Sequence, residues 1–318
     1  MILDLNPEFG YEVVCAAPYA YWLKQQGEYV KVTTCKGMTP FYWFCDEVIE
    51  KHTTRSMDNR TNGVEKLPNG WIHHNATALF GKDYSDLTEE EKAQANGVLD
   101  YSEWTPPPYA KKYYKKGVPN LENYIVISNR YNLEHGESPV GYFDIECLYK
   151  LFSTLTEKGY NVIYRRPKNT EFITDSNELQ NVSIEAEVEG IGRLTDYELV
   201  SYFDNVYLLD DLIEEIGTSY NEAQLNVYAN AEGFIAMGGG CSVLCSYFGK
   251  PVIIYVNTSN DIRPGYFKEE AYFNKLSSAK IIPIVDKKTD IIKRGYRDYS
   301  NVFSSVEDSF RGAKKQNR

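Results

Sequence analysis

From residue 124 onward, short apolar runs alternate with helical patterns, and this rhythm limits the possible folds more than any other feature of the chain. Residues 124–128, 160–164, 206–209, 233–237, 251–256 and 281–285 are brief, continuously apolar and bounded by polar or glycine-containing turns. Between them, 143–158 places Leu148, Leu151, Phe152 and Leu155 on one helical face and closes at Gly159, while 221–231 and 242–248 read as further helices. Strands apolar on both sides need a cover on both sides. The pattern therefore predicts a parallel sheet sandwiched between helices, an α/β arrangement of Rossmann-like kind.

The first third carries a sparser version of the same rhythm. A strand at 2–5 leads through Asn6-Pro-Glu-Phe-Gly10 into a helix at 12–26, with Gly27 suited to its C′ position and a strand at 29–33 after it. Pro18 predicts a kink in that helix, or a start near Ala17. Residues 55–70 show no clear period, 71–74 read as a strand, and 87–94 as a helix capped by Ser85 or Thr88. Pro106, Pro107 and Pro108 stiffen the chain before the basic stretch 111–116, which places a domain junction at 105–122. The expected division is 1–118, 119–290 and a C-terminal helical segment 291–318, whose helix covers 302–315.

The 318 residues suffice for two domains, and their composition is that of a folded soluble chain. A net charge of −11 excludes the broad basic face of a nucleic-acid or anionic-membrane binder. Tyrosine is over-represented, with 27 residues against only four His, which disfavours a His-rich metal enzyme and permits ring stacking on a flat ligand or sugar. No apolar run approaches the length of a membrane span, and no secretory signal pattern opens the chain. The six cysteines form no Cys-x-x-Cys pair and read as reduced, mostly buried thiols. These features together point to the cytoplasm.

Chemistry concentrates where strands end. Gly238, Gly239 and Gly240 follow an apolar strand and precede a helix start at Cys241 and Ser242, so backbone N–H groups there could face an anion. The alternative is a glycine turn needed only for packing. The spacing is neither a dinucleotide fingerprint nor a Walker loop. Asn129 and Arg130 follow the strand at 124–128, where Arg130 is placed to meet a phosphate or to be a solvated loop arginine. Arg165 and Arg166 hold the matching position after the next strand, for phosphate or for structural pairing. Asp210 and Asp211, after Leu209, could hold a divalent cation or simply open a helix. Glu8 and Glu12 lie in the first strand-to-helix turn, and either could deprotonate a hydroxyl in a partly desolvated cleft. Glu12 could equally serve only the helix N-terminus. His73 or His74 is a further candidate, and 261–267 a plausible acceptor loop. Tyr11, Tyr131 and Tyr266 lie on the proposed cleft loops.

Three segments together resemble glycosyltransferases of the two-Rossmann-domain GT-B fold, in particular inverting heptosyltransferase-like and polysaccharide-assembly enzymes. They are Asn6-Pro-Glu-Phe-Gly-Tyr-Glu12, the strand through Arg130 with its following helix, and Tyr228-Ala-Asn-Ala-Glu-Gly-Phe-Ile-Ala-Met-Gly-Gly-Gly-Cys-Ser242 running on to Gly-Lys-Pro-Val-Ile-Ile. Where the family places an acid before its loop glycine, this chain has Met237-Gly238. The resemblance implies two domains facing a cleft, with a C-terminal helix returning to the first. It implies inverting, metal-independent sugar transfer from a UDP- or GDP-linked donor to a glycan hydroxyl, with no other cofactor. Asn129, Arg130, Arg165, Leu209, Asp210 and Gly238–Ser242 would hold the donor. Glu8, with Glu12 in reserve, would be the base, and Tyr11, His73 and Tyr266 would line the acceptor side. An epimerase or hydrolase acting on nucleotide sugars, and a non-catalytic glycan- or nucleotide-binding protein, are the competing functions.

Overall fold

The computed structural model describes residues 1–55, 86–91, 104–114, 117–130, 132–133, 141–166, 180–181, 184–190, 192–257 and 272–313. Near the N-terminus lies a parallel sheet of β1 (Ile2–Asp4), β2 (Lys31–Cys35) and β3 (Glu47–His52), in that order. β2 is displaced two residues from its expected place, because Tyr29 is exposed and the β-forming Thr33, Thr34 and Cys35 extend the pairing. Strand β3 was not expected: it lies at the sheet edge, and its Glu-Val-Ile-Glu-Lys-His sequence lacks an apolar run.

One helical stretch joins β1 to β2, made of α1 (Phe9–Tyr11), a π-helical turn (Glu12–Ala16) and α2 (Ala17–Gln25). The regular α-helix begins at Ala17, as Pro18 predicts, but it continues a helical stretch that opens at Phe9. Pro18 has no N–H, and in an α-helix its ring would press on the Val14 carbonyl; widening the preceding turn relieves that clash. Gly27, at φ 83°, closes the helix in the left-handed conformation. Its N–H bonds Lys24 O and that of Glu28 bonds Leu23 O, a Schellman arrangement. Helix α3 (Tyr109–Tyr113) follows the triple proline.

Among the described residues the second sheet has six strands, all parallel: β4 (Tyr124–Ser128), β5 (Asn161–Arg165), β6 (Val206–Leu208), β7 (Gly233–Met237), β8 (Val252–Val256) and β9 (Ile281–Val285). Their spatial order is β6-β5-β4-β7-β8-β9. Counted within this sheet, that is 3-2-1-4-5-6, the doubly wound order, with a switch point between β4 and β7. Helices α4 (Ile145–Glu157), α5 (Asp196–Val200), α6 (Leu209–Ile216), α7 (Tyr220–Asn230), α8 (Gly240–Ser246), α9 (Tyr272–Leu276), α10 (Lys288–Arg294) and α11 (Ser300–Ser309) accompany it. The described residues also hold a 3-10 turn (Thr39–Tyr42) and two short antiparallel pairs, Asn132–Leu133 with Gln180–Asn181 and Glu185–Val188 with Gly192–Thr195.

Each face of the six-stranded sheet has its own apolar cluster. On one, Ile125, Ile127, Tyr164, Ile235 and Tyr255 meet α4 and α11. On the other, Val126, Ile163, Phe234 and Ile254 join a cluster that continues through α7, α8 and α3 to Leu3, Val13, Val32 and Phe41. The first unit is thus packed directly onto the second. Helix α11 departs from expectation. It does not return to the first sheet, because Val302, Val306 and Phe310 bury themselves in the cluster around β8, and the Phe310 ring occupies the space a side chain on Gly233 would need. Ala313 N–H then bonds Lys158 O at 3.1 Å, which keeps the chain on the second sheet.

Candidate active site

At the switch point, the loops after β4 and β7 meet the first helical turn of the N-terminal unit. Gly239 takes φ 124° and ψ −170°, a conformation essentially reserved for glycine. A Cβ on Gly239 would lie 2.9 Å from Arg130 Nη1, and one on Gly141 would lie 2.8 Å from Arg130 Nη2. The Arg130 guanidinium therefore sits between two glycines, and its Nε donates to Gly141 O at 3.2 Å. A Cβ on Gly240 would fall 3.0 Å from both the Cα and the amide nitrogen of Gly10. This close approach brings the start of α8 against the turn that carries Glu8.

Arg165 approaches the same loop from β5. It is 7% exposed, its Nη1 donates to Cys241 Sγ at 2.6 Å, and its Nε has no partner. Ser128, beside it in register, and Tyr220 and Tyr228 of α7 bring three more hydroxyls into the buried surroundings of Arg165. Among the described residues no carboxylate lies within ion-pair distance of Arg165. Two guanidinium groups thus flank the Gly239–Cys241 backbone, one partly accessible and one buried without a counter-charge.

Glu8 is the N-cap residue of α1, and its side chain makes no capping hydrogen bond. Glu12 is placed differently from its reading as a base. It is fully buried, Oε1 accepts from Thr34 Oγ1 and from Tyr42 Oη (3.0 Å), and Oε2 accepts from Arg55 Nη1. A carboxylate so enclosed cannot meet a substrate hydroxyl. Its work is structural.

Other expected contacts are also redirected. Tyr11 is fully buried among core residues, and burial pushes its phenol well above the ordinary value, so it does not line an acceptor surface. Leu209 is likewise core. Asn129 is completely buried; its Nδ2 donates to Phe143 O (2.9 Å) and Tyr164 Oη (3.0 Å), and its Oδ1 accepts from the N–H groups of Arg130 and Phe143 (both 2.9 Å). It shapes the Arg130 loop instead of touching a ligand. Ser242 turns inward to donate to Gly239 O at 2.7 Å, and buried Gly238 extends the ladder to Tyr255 O. Asp210 and Asp211 occupy the first turn of α6, where acidic side chains favour the helix start. Among the described residues no group of three or more His, Cys, Asp or Glu is arranged to hold a metal ion. His73, Tyr131, Tyr266 and the loop 261–267 lie outside the described residues.

The residues that sequence reasoning missed are those tied to the site over long separations. Arg55, Gly141 and Tyr220 carry no local motif, and only the folded geometry assigns them a place. Arg166, adjacent to Arg165, points into a different network: it pairs in bidentate fashion with Asp196, which also accepts from Tyr164 Oη at 2.7 Å.

No family model and no curated protein sequence matches this chain. Solved structures do. Escherichia coli heptosyltransferase WaaC with ADP superposes with a TM-score of 0.53 at 12% identity, over 97% of this chain and 99% of that one. The same enzyme with ADP-2-deoxy-2-fluoro heptose gives 0.51 at 10% identity, over 97% and 99%. Escherichia coli ADP-heptose lipopolysaccharide heptosyltransferase II gives 0.50 at 10% identity, over 96% and 97%. The chain has the heptosyltransferase-like GT-B glycosyltransferase fold along nearly its whole length.

Proposed function

We propose that this protein is a glycosyltransferase that moves a sugar from a nucleoside diphosphate sugar to a hydroxyl of a glycan acceptor, with inversion and without a metal ion. The observation that carries this reading is the approach of Gly240 to Gly10, which sets an acidic turn against a glycine loop flanked by two arginines. Transfer needs a base for the acceptor hydroxyl and fixed positive charge for the departing diphosphate. Glu8 takes the hydroxyl proton as the acceptor oxygen bonds to the anomeric carbon. The bond from that carbon to the phosphate oxygen breaks, and its electron pair leaves on the diphosphate, where Arg130, Arg165 and the Gly239–Cys241 backbone balance the charge. The division into an acceptor unit at 1–118 and a donor unit from 119 belongs to the same proposal. So does a cytoplasmic setting, in keeping with six cysteines that form no disulfide.

The donor nucleotide is open among UDP and GDP, and ADP joins them because the similar WaaC structure holds it. The test is incubation with UDP-, GDP-, dTDP- and ADP-sugars in EDTA, with product analysis. Transfer to an acceptor supports the reading, and donor hydrolysis that no acceptor diverts would make the protein a hydrolase. Interconversion of the donor sugar would make the protein an epimerase, binding without turnover would make it a binding protein, and loss of activity in EDTA would overturn the metal-free mechanism. Glu8→Gln is expected to lower turnover about 10²–10⁴-fold with donor affinity little changed.

A further inference from the structure

The turn that presents Glu8 is held from beneath by a buried ion pair. Arg55, 8% exposed, uses a single nitrogen, Nη1, to donate to the Pro7 carbonyl at 2.7 Å and to the Glu12 carboxylate. Pro7 immediately precedes Glu8. Glu12 follows it by one turn, and the Glu12 N–H bonds the Glu8 carbonyl at 3.0 Å. The backbone of Glu8 is thus fixed on both sides through one guanidinium. Thr34 and Tyr42 hold the other oxygen of Glu12, so the anchor is referred to β2 and to the segment after it. The Arg55 guanidinium also lies 5.6 Å from the centre of the Phe9 ring. Phe9 is next to Gly10, and its Cδ1 would lie 3.3 Å from a Cβ on Gly240. One buried side chain therefore touches the residues on both sides of Glu8 and borders the contact with the glycine loop.

We infer that Arg55 is a positioning residue for catalysis, setting the Glu8 carboxylate toward the reacting hydroxyl through Pro7 and Glu12; this rests on the reading of Glu8 as the base. A displacement of about 1 Å at a reacting group can cost on the order of 10²-fold in rate, so a loosened turn reduces turnover without altering the donor site on the second sheet.

The experiment measures kcat and donor KM for the full chain, with the nucleotide sugar that gives transfer or hydrolysis, in Arg55→Gln, Arg55→Lys, Glu8→Gln and the Glu8→Gln/Arg55→Gln pair. Folding of each is checked by circular dichroism. Arg55→Gln is expected to lower kcat by about 10- to 100-fold with donor KM within about twofold. Arg55→Lys should recover most of the loss, because an ammonium can donate to both acceptors. In the Glu8→Gln background, Arg55→Gln should add less than about twofold, since no base remains to be placed. Full additivity, or a KM rise matching the fall in kcat, would overturn the positioning role while leaving Glu8 as the base. Wild-type kcat in Glu8→Gln would overturn both. Should Arg55→Gln fail to fold, Glu12→Gln, which keeps shape and drops the charge, is carried through the same cycle with the same expected and overturning outcomes.

Discussion

The Tyr247 hydroxyl donates to the main-chain carbonyl of Val13, tying the end of α8 to the π-helical turn of the first unit. That carbonyl has no helical donor. Ala17 N–H bonds Glu12 O, and the residue one position on is Pro18, which has no N–H to give. A proline on one unit thus creates an acceptor that a tyrosine on the other satisfies. The Tyr247 ring also packs edge-on against Tyr109, with centroids 4.9 Å apart.

Tyr247→Phe should therefore leave a buried carbonyl unpaired and lower stability by about 1–3 kcal/mol in urea denaturation. In a Pro18→Ala background the helix regains a donor for Val13, and the same substitution should cost less than about 1 kcal/mol. Equal costs in the two backgrounds would show that Pro18 does not create the need for Tyr247.

The glycine loop makes a second, sharper prediction. Gly239→Ala meets both a forbidden backbone region and the Arg130 guanidinium, with a strain of about 1–3 kcal/mol. If Arg130 holds the donor as proposed, donor affinity should fall with it, because Arg130 must move. Gly240→Ala instead presses on the Gly10 backbone, which cannot yield as a side chain can. On the proposed function, it should reduce turnover more than donor affinity by separating Glu8 from the glycine loop. Steady-state kinetics distinguish the two, and identical effects on KM and kcat in both variants would reject this division of roles.

The strands of the second sheet were readable because each is a continuous apolar run between turns, and β4, β7 and β9 fall on the expected residues. The meeting of the loops after β4 and β7 could also be anticipated, since parallel strands of alternating α/β sequence end at one edge. What the residues do there could not. Glu12 looks like a helix-start acid in sequence, and its partners Thr34, Tyr42 and Arg55 stand 22, 30 and 43 positions away. Asn129 looks like a polar loop residue, yet it is consumed by Phe143 and Tyr164. Local pattern reports periodicity and turns; which polar groups satisfy one another depends on contacts between distant segments.

The tyrosines, so abundant in the sequence, largely serve the interior, and that fixes the alkaline behaviour. Burial pushes the phenols of Tyr42, Tyr109, Tyr164, Tyr228 and Tyr247 well above the ordinary value, and that of Tyr220 up to about 12. Since the folded values are raised, their contribution is fully present below about pH 10, the unfolded value, and is lost as pH rises toward the folded ones. Each such phenol makes stability fall as pH rises above about 10, and several acting together steepen that fall. Urea midpoints should hold to about pH 9.5 and then collapse, with absorbance at 295 nm showing the buried phenolates only on unfolding. Their ionisation near pH 10 in a protein with native circular dichroism would contradict this.

Arg165 and Arg166 are adjacent in sequence and should respond oppositely to removal. Arg166 is 2% exposed and completes a bidentate pair with fully buried Asp196, so Arg166→Met strands a carboxylate in the core and should cost about 3–5 kcal/mol. Arg165 is nearly as buried, but its contact at the loop is a thiol and its Nε is unpaired. Burying a cation without a counter-charge opposes folding, so Arg165→Met should leave the ligand-free protein as stable as before, or more so. The cost should appear on binding. A nucleoside diphosphate that raises the melting temperature of the native protein by mass action should lose most of that effect in Arg165→Met and keep it in any Arg166→Met that folds. Thermal denaturation of both variants, with and without the nucleotide, reads all four values. A large loss of ligand-free stability in Arg165→Met would instead assign that arginine to the scaffold.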